Sequence, residues 1–470
     1  MIYLKKYIPY LFLILLSLYL LLYISWQAAT TETIEQSSWS CQGEGRNTIC
    51  EFTNFCVDSK TGPFIIHADR QPPKLNLINA DEDGDMWFEP KRVDRPVKAI
   101  RMHQTLFVYG LYSPFHFSHF LYNGLIPLYS TMLEYGMPPN AWTMRALTHW
   151  TKNTRVDLIV PSHKDIVFDS KDVLTEKQVE AGYQTMCFSK AVVGTGNRCS
   201  LWHCDRHIPA AHYASFKEYV FTKAHQRNNT CLTSIVHHTS AGKYRVGILN
   251  RKSTRHITNV PELIDRLQKE GDFDIRSIDF DQSACDIVHT AQAVKDLDIL
   301  IAPFGNGLGA GLFMKDDAVV VSISARWYSE DWFKYAMTAV GRRIFNFECG
   351  RAECQEYEPA LAASILENYN VTLNATEMQA FMTEQYPEKT MRTYLPGREW
   401  NPILQYQKDV ARRVDVESFI PYLRMIIKNK PPKGVAYPDA CNQENVCCDT
   451  KCKGPLDRNV RNELGPWQEL

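Results

Sequence analysis

The chain has 470 residues, 45% hydrophobic and 22% charged, a balance that supports packed cores and argues against disorder. Its 52 Lys and Arg residues nearly match 53 Asp and Glu, for a formal charge of −1. No global field favours nucleic acid, so an anionic ligand must be met by local basic side chains or backbone amides.

Lys5 and Lys6 precede an apolar run from Tyr7 to Trp26. Its length fits the ~20 residues of a membrane-crossing helix and exceeds the ~7–15 of a signal peptide's apolar region. Basic residues on its N-terminal side keep residues 1–6 cytosolic and send the remainder across. A type II signal-anchor at 7–26 is therefore expected, followed by a Thr/Glu/Ser-rich stem over 27–40. The 14 cysteines agree with an oxidising lumen, with groups at Cys41, Cys50 and Cys56, at Cys199 and Cys204, and at Cys441, Cys447, Cys448 and Cys452. No CxxC pair recurs at finger spacing, so disulfides are expected rather than zinc. Sequons begin at Asn228, Asn370 and Asn374, and would be N-glycosylated in the ER or Golgi.

Residues 41–235 are expected to form an N-terminal lobe. Up to about Val108 it reads as short strands and loops. His116–Gly136 carries apolar residues at helical spacing and ends on a glycine stop. Strands over 155–162 and 191–196 and a helix over 212–226 follow. A fresh alternation occupies the C-terminal lobe, 236–360: strand 244–251, helix 260–271, strand 274–280, helix 283–297, strand 298–304, a glycine loop, and strand 318–324. Strands alternating with helices of this length predict a doubly wound parallel sheet. The expected architecture is α/β, two Rossmann-type lobes with a cleft between them. Residues 361–470 form a helical and Cys-rich extension, in which a helix over 415–429 could fold back across both lobes.

The glycine loop carries Gly305, Gly307, Gly309 and Gly311. Gly305, Gly307 and Ala310 match a dinucleotide fingerprint, but that loop should follow the first strand of its domain and be answered by an acidic residue. Here the next strand runs into Arg326. A second reading is tight packing alone. A third is a nucleotide-sugar site, with backbone amides meeting a diphosphate at a strand's C-terminal end. Arg251 and Arg255, just past another strand, supply planar cations suited to phosphate.

These blocks together resemble the C-terminal lobe of glycosyltransferase family 61, a family of xylosyl-, arabinosyl- and N-acetylglucosaminyltransferases of the secretory pathway. Arg251, Arg255 and Asn259 fit its R-x-x-x-R-x-x-x-N pattern, and Gly305, Gly307, Leu308 and Phe313 fit its H-G-A-G-L loop and following helix. Phe304 stands where that loop has histidine, and Asn306 where it has alanine. His119 falls on the histidine of the family's N-lobe segment, with Asn123 at its acidic position. The resemblance spans about 111–349. It implies a GT-B fold, a UDP-sugar donor, a glycan or glycoprotein acceptor, inversion at the anomeric carbon, and no required metal. It also implies nucleotide-sugar contacts at Arg251, Arg255, Asn259, Gly305, Asn306, Gly307 and Leu308. His119, with His116 as a second candidate, would be the base, since imidazole titrates near neutrality.

Two rival readings remain. A metal-dependent GT-A enzyme would need a D-x-D, available at Asp83/Asp85, Asp272/Asp274 and Asp279/Asp281. Phe304 and Asn123 instead motivate a non-catalytic, carbohydrate-binding relative.

Overall fold

The computed structural model describes residues 31–58, 62–77, 87–110, 117–136, 142–147, 185–198, 206–224, 242–279, 287–324, 333–348, 356–383 and 402–428. The expected anchor at 7–26, His116, Asn228 and the Cys441–Cys452 group lie outside them. Among the described residues no helix is long and apolar enough to cross a membrane.

The chain is a mixed α/β protein built on two large sheets. The first contains β1 (Thr31–Ile34), β2 (Ser38–Gln42), β3 (Ile49–Asp58), β4 (Gly62–His67), β7 (Lys91–Val93), β8 (Val97–Gly110), β9 (Trp142–Leu147) and β10 (Met186–Val193). A two-stranded ribbon, β5 (Leu75–Asn76) with β6 (Trp87–Phe88), stands apart from it. Its pairing differs from the Rossmann-type lobe expected. β10 lies between β8 and β3, parallel to the former and antiparallel to the latter. The cause is long-range pairing, which residue alternation within each strand does not encode. Strands here are also longer than the short ones expected, with 14 residues in β8 and 10 in β3. Tilted Phe52, Phe55 and Phe64 line its core, with successive centroids 4.9 and 5.5 Å apart.

Both disulfides among the described residues join opposed positions of antiparallel strands. Cys41 pairs with Cys50 across β2 and β3, and Cys56 with Cys187 across β3 and β10. The second closes a separation of 131 residues. On chain-entropy grounds such a loop contributes about 5 kcal/mol by restricting the unfolded chain.

The second sheet contains β11 (Tyr244–Asn250), β12 (Phe273–Asp279), β13 (Ile299–Pro303), β14 (Val319–Ser324) and β15 (Arg343–Glu348). All neighbours are parallel, in the order β12-β11-β13-β14-β15. β13 and β14 are buried along their whole length, as expected of strands covered on both faces. The helix Val260–Lys269 connects β11 to β12 and ends near Gly271, whose φ of +81° suits glycine. Strand order reverses between β11 and β13. In open α/β sheets such a reversal opens a crevice beyond the C-terminal strand ends, where ligands bind.

The two sheets share one apolar core. Phe107, Tyr129, Tyr213 and Phe216 from the first half join Leu249, Leu300, Leu308 and Phe313 from the second. A helical segment carries this junction, running as an α-turn Phe117–His119, an i→i+5 stretch Phe120–Leu125 and an α-helix Ile126–Glu134. The opposite face of the second sheet is covered by the helices Val260–Lys269 and Val416–Lys428. Phe419, Leu423 and Ile426 are buried there, and the Tyr422 hydroxyl donates to the Asn346 carbonyl at 2.8 Å. The late helix thus packs on the second sheet rather than bridging both halves.

Candidate functional site

The crevice of the second sheet is lined first by the loop after β11. Asn250, the last residue of that strand, shapes it. Its side-chain NH2 donates to the Ile257 carbonyl at 3.0 Å, and its side-chain oxygen accepts the Ile257 amide at 2.8 Å. The six residues between are held in a closed turn that carries Arg251 and Arg255. Arg255 adopts a φ of +65°, a left-handed conformation that costs a non-glycine residue about 1–2 kcal/mol. It is held there by its amide, which donates to the Asp409 carbonyl at 2.9 Å, and by its Nε, which donates to Asp409 Oδ1 at 2.8 Å. Strain retained by several partners is common at functional sites.

The second wall follows β13. The Phe304 amide donates to the Ile323 carbonyl at 2.9 Å, and the chain then turns at Gly305 with φ +139°. A Cβ at Gly305 would stand 3.1 Å from Arg255 Nη1 and 3.5 Å from Arg251 Nη1. The backbone at this glycine therefore confronts both guanidinium groups. Beyond it Asn306–Phe313 forms a 3-10 helix rather than the α-helix expected, and only Asn306 of the eight is half-exposed.

The later glycines serve contact, not the crevice. A Cβ at Gly307 would come 2.7 Å from a Leu249 methyl, one at Gly309 2.5 Å from Ser118 Oγ, and one at Gly311 2.8 Å from a Val320 methyl. Leu308 is buried in the shared core, as is Phe304, so neither side chain belongs to the arginine cluster. Asn259 is also buried. It donates to the Val414 carbonyl at 2.8 Å and accepts the Val414 amide at 2.9 Å, clasping a distant segment.

The third wall is the start of the junction helix. Ser118 Oγ donates to the Asn306 carbonyl at 2.7 Å, and the Tyr122 hydroxyl donates to the Gly309 carbonyl at 3.1 Å. His119, half-buried, lies between them in sequence, and its Nδ1 is 3.1 Å from Asn123 Oδ1. With that oxygen as acceptor, Nδ1 carries the proton and the neutral ring has its lone pair on Nε2. The i→i+5 stretch begins at the next residue; such local widening recurs at functional sites.

Two further groups complete the cluster and carry no motif. Asp409 is buried and accepts from Arg255 and Gln405. Arg412 is 2% exposed, and burial first, then the neighbouring Arg255, pushes its guanidinium down to about 9. Its Nη atoms donate to the Val410 and Lys408 carbonyls, both at 2.7 Å, while its Nε has no hydrogen-bond partner among the described residues. In sequence Asp409 ends an ordinary charged helix, 154 residues from Arg255, with Arg412 just beyond it, and only the fold could have found them.

Of the D-x-D candidates, Asp83, Asp85 and Asp281 lie outside the described residues. Asp272 precedes β12 at the sheet edge opposite the crevice and is paired with Arg424 at 3.0 Å. Asn370 and Asn374 are exposed. The Asn374 side chain also caps the helix Ala375–Thr383, accepting the Glu377 amide at 2.9 Å while Glu377 accepts the Asn374 amide at 2.8 Å.

Residues 117–321 match the family model Glycosyltransferase 61. That span takes in His119, Arg251, Arg255, Gly305 and Asn306, and stops short of Asp409 and Arg412. No curated protein matches the chain.

Proposed function

We propose, from the match of residues 117–321 to glycosyltransferase family 61, that the chain is a member of that family and transfers a pentose or N-acetylglucosamine from a UDP-sugar to a glycan or glycoprotein hydroxyl. The observation that carries the donor assignment is the pair of Arg251 and Arg255 Nη1 atoms facing the Gly305 backbone where strand order reverses. Paired guanidinium groups match the geometry and charge of a diphosphate.

In this reading the acceptor hydroxyl gives its proton to His119 Nε2 as its oxygen attacks the anomeric carbon. The bond from that carbon to the β-phosphate oxygen breaks, and the electron pair leaves with UDP. Attack from the face opposite the leaving group inverts the configuration. Arg251 and Arg255 stabilise the charge that develops on UDP, the task a divalent ion performs in other transferases. Asn123 serves by fixing the His119 tautomer, a role an amide oxygen can fill as an acidic residue would. The two-lobed GT-B arrangement belongs to the same proposal, with the parallel sheet on the donor side and the mixed sheet on the acceptor side. So does residence in the ER or Golgi membrane through residues 7–26, with the catalytic part lumenal.

The test is turnover by the full-length chain over a panel of UDP-sugars, with and without EDTA. Turnover of one donor at a rate that EDTA leaves unchanged is expected. A rate abolished by EDTA and restored by a divalent ion would move the assignment to metal-dependent chemistry. Donor binding with no turnover on any acceptor would support a non-catalytic carbohydrate-binding relative.

A further inference from the structure

We infer that the strap Gln405–Val414, outside the family match, is a working part of the donor site: Asp409 aims Arg255, and Arg412 is a third cation for the diphosphate. The inference rests on the donor reading above and adds residues to it.

The strap is joined to the arginine loop by a short parallel ladder. The Arg255 amide donates to the Asp409 carbonyl at 2.9 Å, the Arg412 amide to the His256 carbonyl at 2.8 Å, and the Thr258 amide to the Arg412 carbonyl at 2.9 Å. Loop and strap therefore move as one unit. Asp409 binds Arg255 through Nε, so the plane of the guanidinium is fixed while its Nη1 stays beside Gly305. Without that bond the three-methylene side chain would sample many rotamers, and freezing them on binding would cost affinity.

Arg412 is the second observation. A buried guanidinium close to two others is costly unless something negative compensates it. Asp409 and Glu358 do so in part, since both act on Arg412 against the repulsion of Arg255 and Arg251. Three guanidinium groups against two carboxylates leave an excess positive charge around an Nε that has no hydrogen-bond partner among the described residues. A diphosphate in the crevice would supply the missing negative charge and raise the Arg412 guanidinium back toward its ordinary range.

A purely structural clasp and a positioning device give opposite signs in one experiment. UDP binding to the full-length chain is measured by calorimetry for Asp409→Ala, Asp409→Asn and Arg412→Gln, with melting temperature as the control for folding. Removing a carboxylate beside an anion site should by charge alone tighten binding. The positioning role predicts that Asp409→Ala weakens it by about tenfold or more, as expected for loss of a charge-assisted hydrogen bond. Asp409→Asn keeps the acceptor oxygen, nearly the same volume and the fold, and should bind UDP as well as the wild type or better. Arg412→Gln should weaken binding by about tenfold. Wild-type affinity in Asp409→Ala, or a tenfold loss in Asp409→Asn at unchanged melting temperature, would overturn the role of Asp409. Unchanged affinity in Arg412→Gln would overturn that of Arg412. Failure of the wild-type chain itself to bind UDP would instead overturn the donor reading beneath both.

Discussion

Replacing His119 with alanine should lower kcat by about 10²–10⁴-fold, the range for loss of a general base, while UDP affinity stays within about twofold. The split follows from the geometry. His119 is tied to the Asn306 backbone through its neighbour Ser118, which donates to the Asn306 carbonyl, whereas in the proposed reading the diphosphate charge would be met by Arg251 and Arg255 at Gly305. A residue that only packs would change melting temperature before it changed kcat, so both are measured on the same preparation. Asn123→Leu removes the oxygen opposite Nδ1 and should lower kcat by a smaller factor, on the order of tenfold, through loss of tautomer control. If His119→Ala retains the wild-type kcat with its cognate donor and acceptor, the proton goes elsewhere and the base assignment fails.

Gly305→Ala should weaken UDP binding by about tenfold or more and lower the melting temperature by a few degrees. Two physical terms act together. A φ of +139° is strained for any side-chain-bearing residue, costing about 1–3 kcal/mol. The new methyl would also meet Arg255 Nη1 at 3.1 Å and displace the group that faces the ligand. Gly307→Ala is the informative comparison. Its methyl would press into Leu249 at 2.7 Å, away from the arginines, and should cost stability while leaving the UDP affinity of the folded fraction near that of the wild type. Calorimetry paired with thermal melts separates the two. Equal loss of UDP affinity in both variants would contradict the division of this loop into a ligand-facing glycine and packing glycines.

That division explains what the sequence could and could not carry. The alternation of strands and helices from Tyr244 onward was legible because β13 and β14 are continuous apolar runs and the helix Val260–Lys269 ends close to a glycine turn at Gly271. Arg251 and Gly305 were legible for the same reason, since a residue just past a parallel strand must lie at the carboxyl edge of the sheet. The glycines themselves recur every second residue, and that spacing does not distinguish the face turned to a ligand from the face turned to Leu249, Ser118 or Val320. The first sheet was not legible because β10 inserts between β8 and β3, a choice made by contacts across the chain. Asn259 illustrates the limit of a motif. It holds its place in the arginine pattern, yet its side chain is spent on Val414. Asp409 and Arg412 are the converse, central to the cluster and silent in the sequence.

Phe304 loses much of its weight once its position is known. Its ring is buried in the shared core with Leu308 and Phe313, so this side chain contributes to packing beneath the loop. The Arg251 and Arg255 Nη1 atoms face the Gly305 backbone irrespective of that ring.

The most direct measurement of the central claim is calorimetric titration of UDP into the full-length chain and into Arg251→Ala at matched salt. Loss of a charge-assisted contact to phosphate corresponds to about 1.5–3 kcal/mol. The Arg251→Ala dissociation constant should therefore rise by about 10- to 150-fold, with the melting temperature measured on the same samples as the control for folding. Equal UDP affinity in the two proteins would contradict the assignment of this crevice to the donor diphosphate.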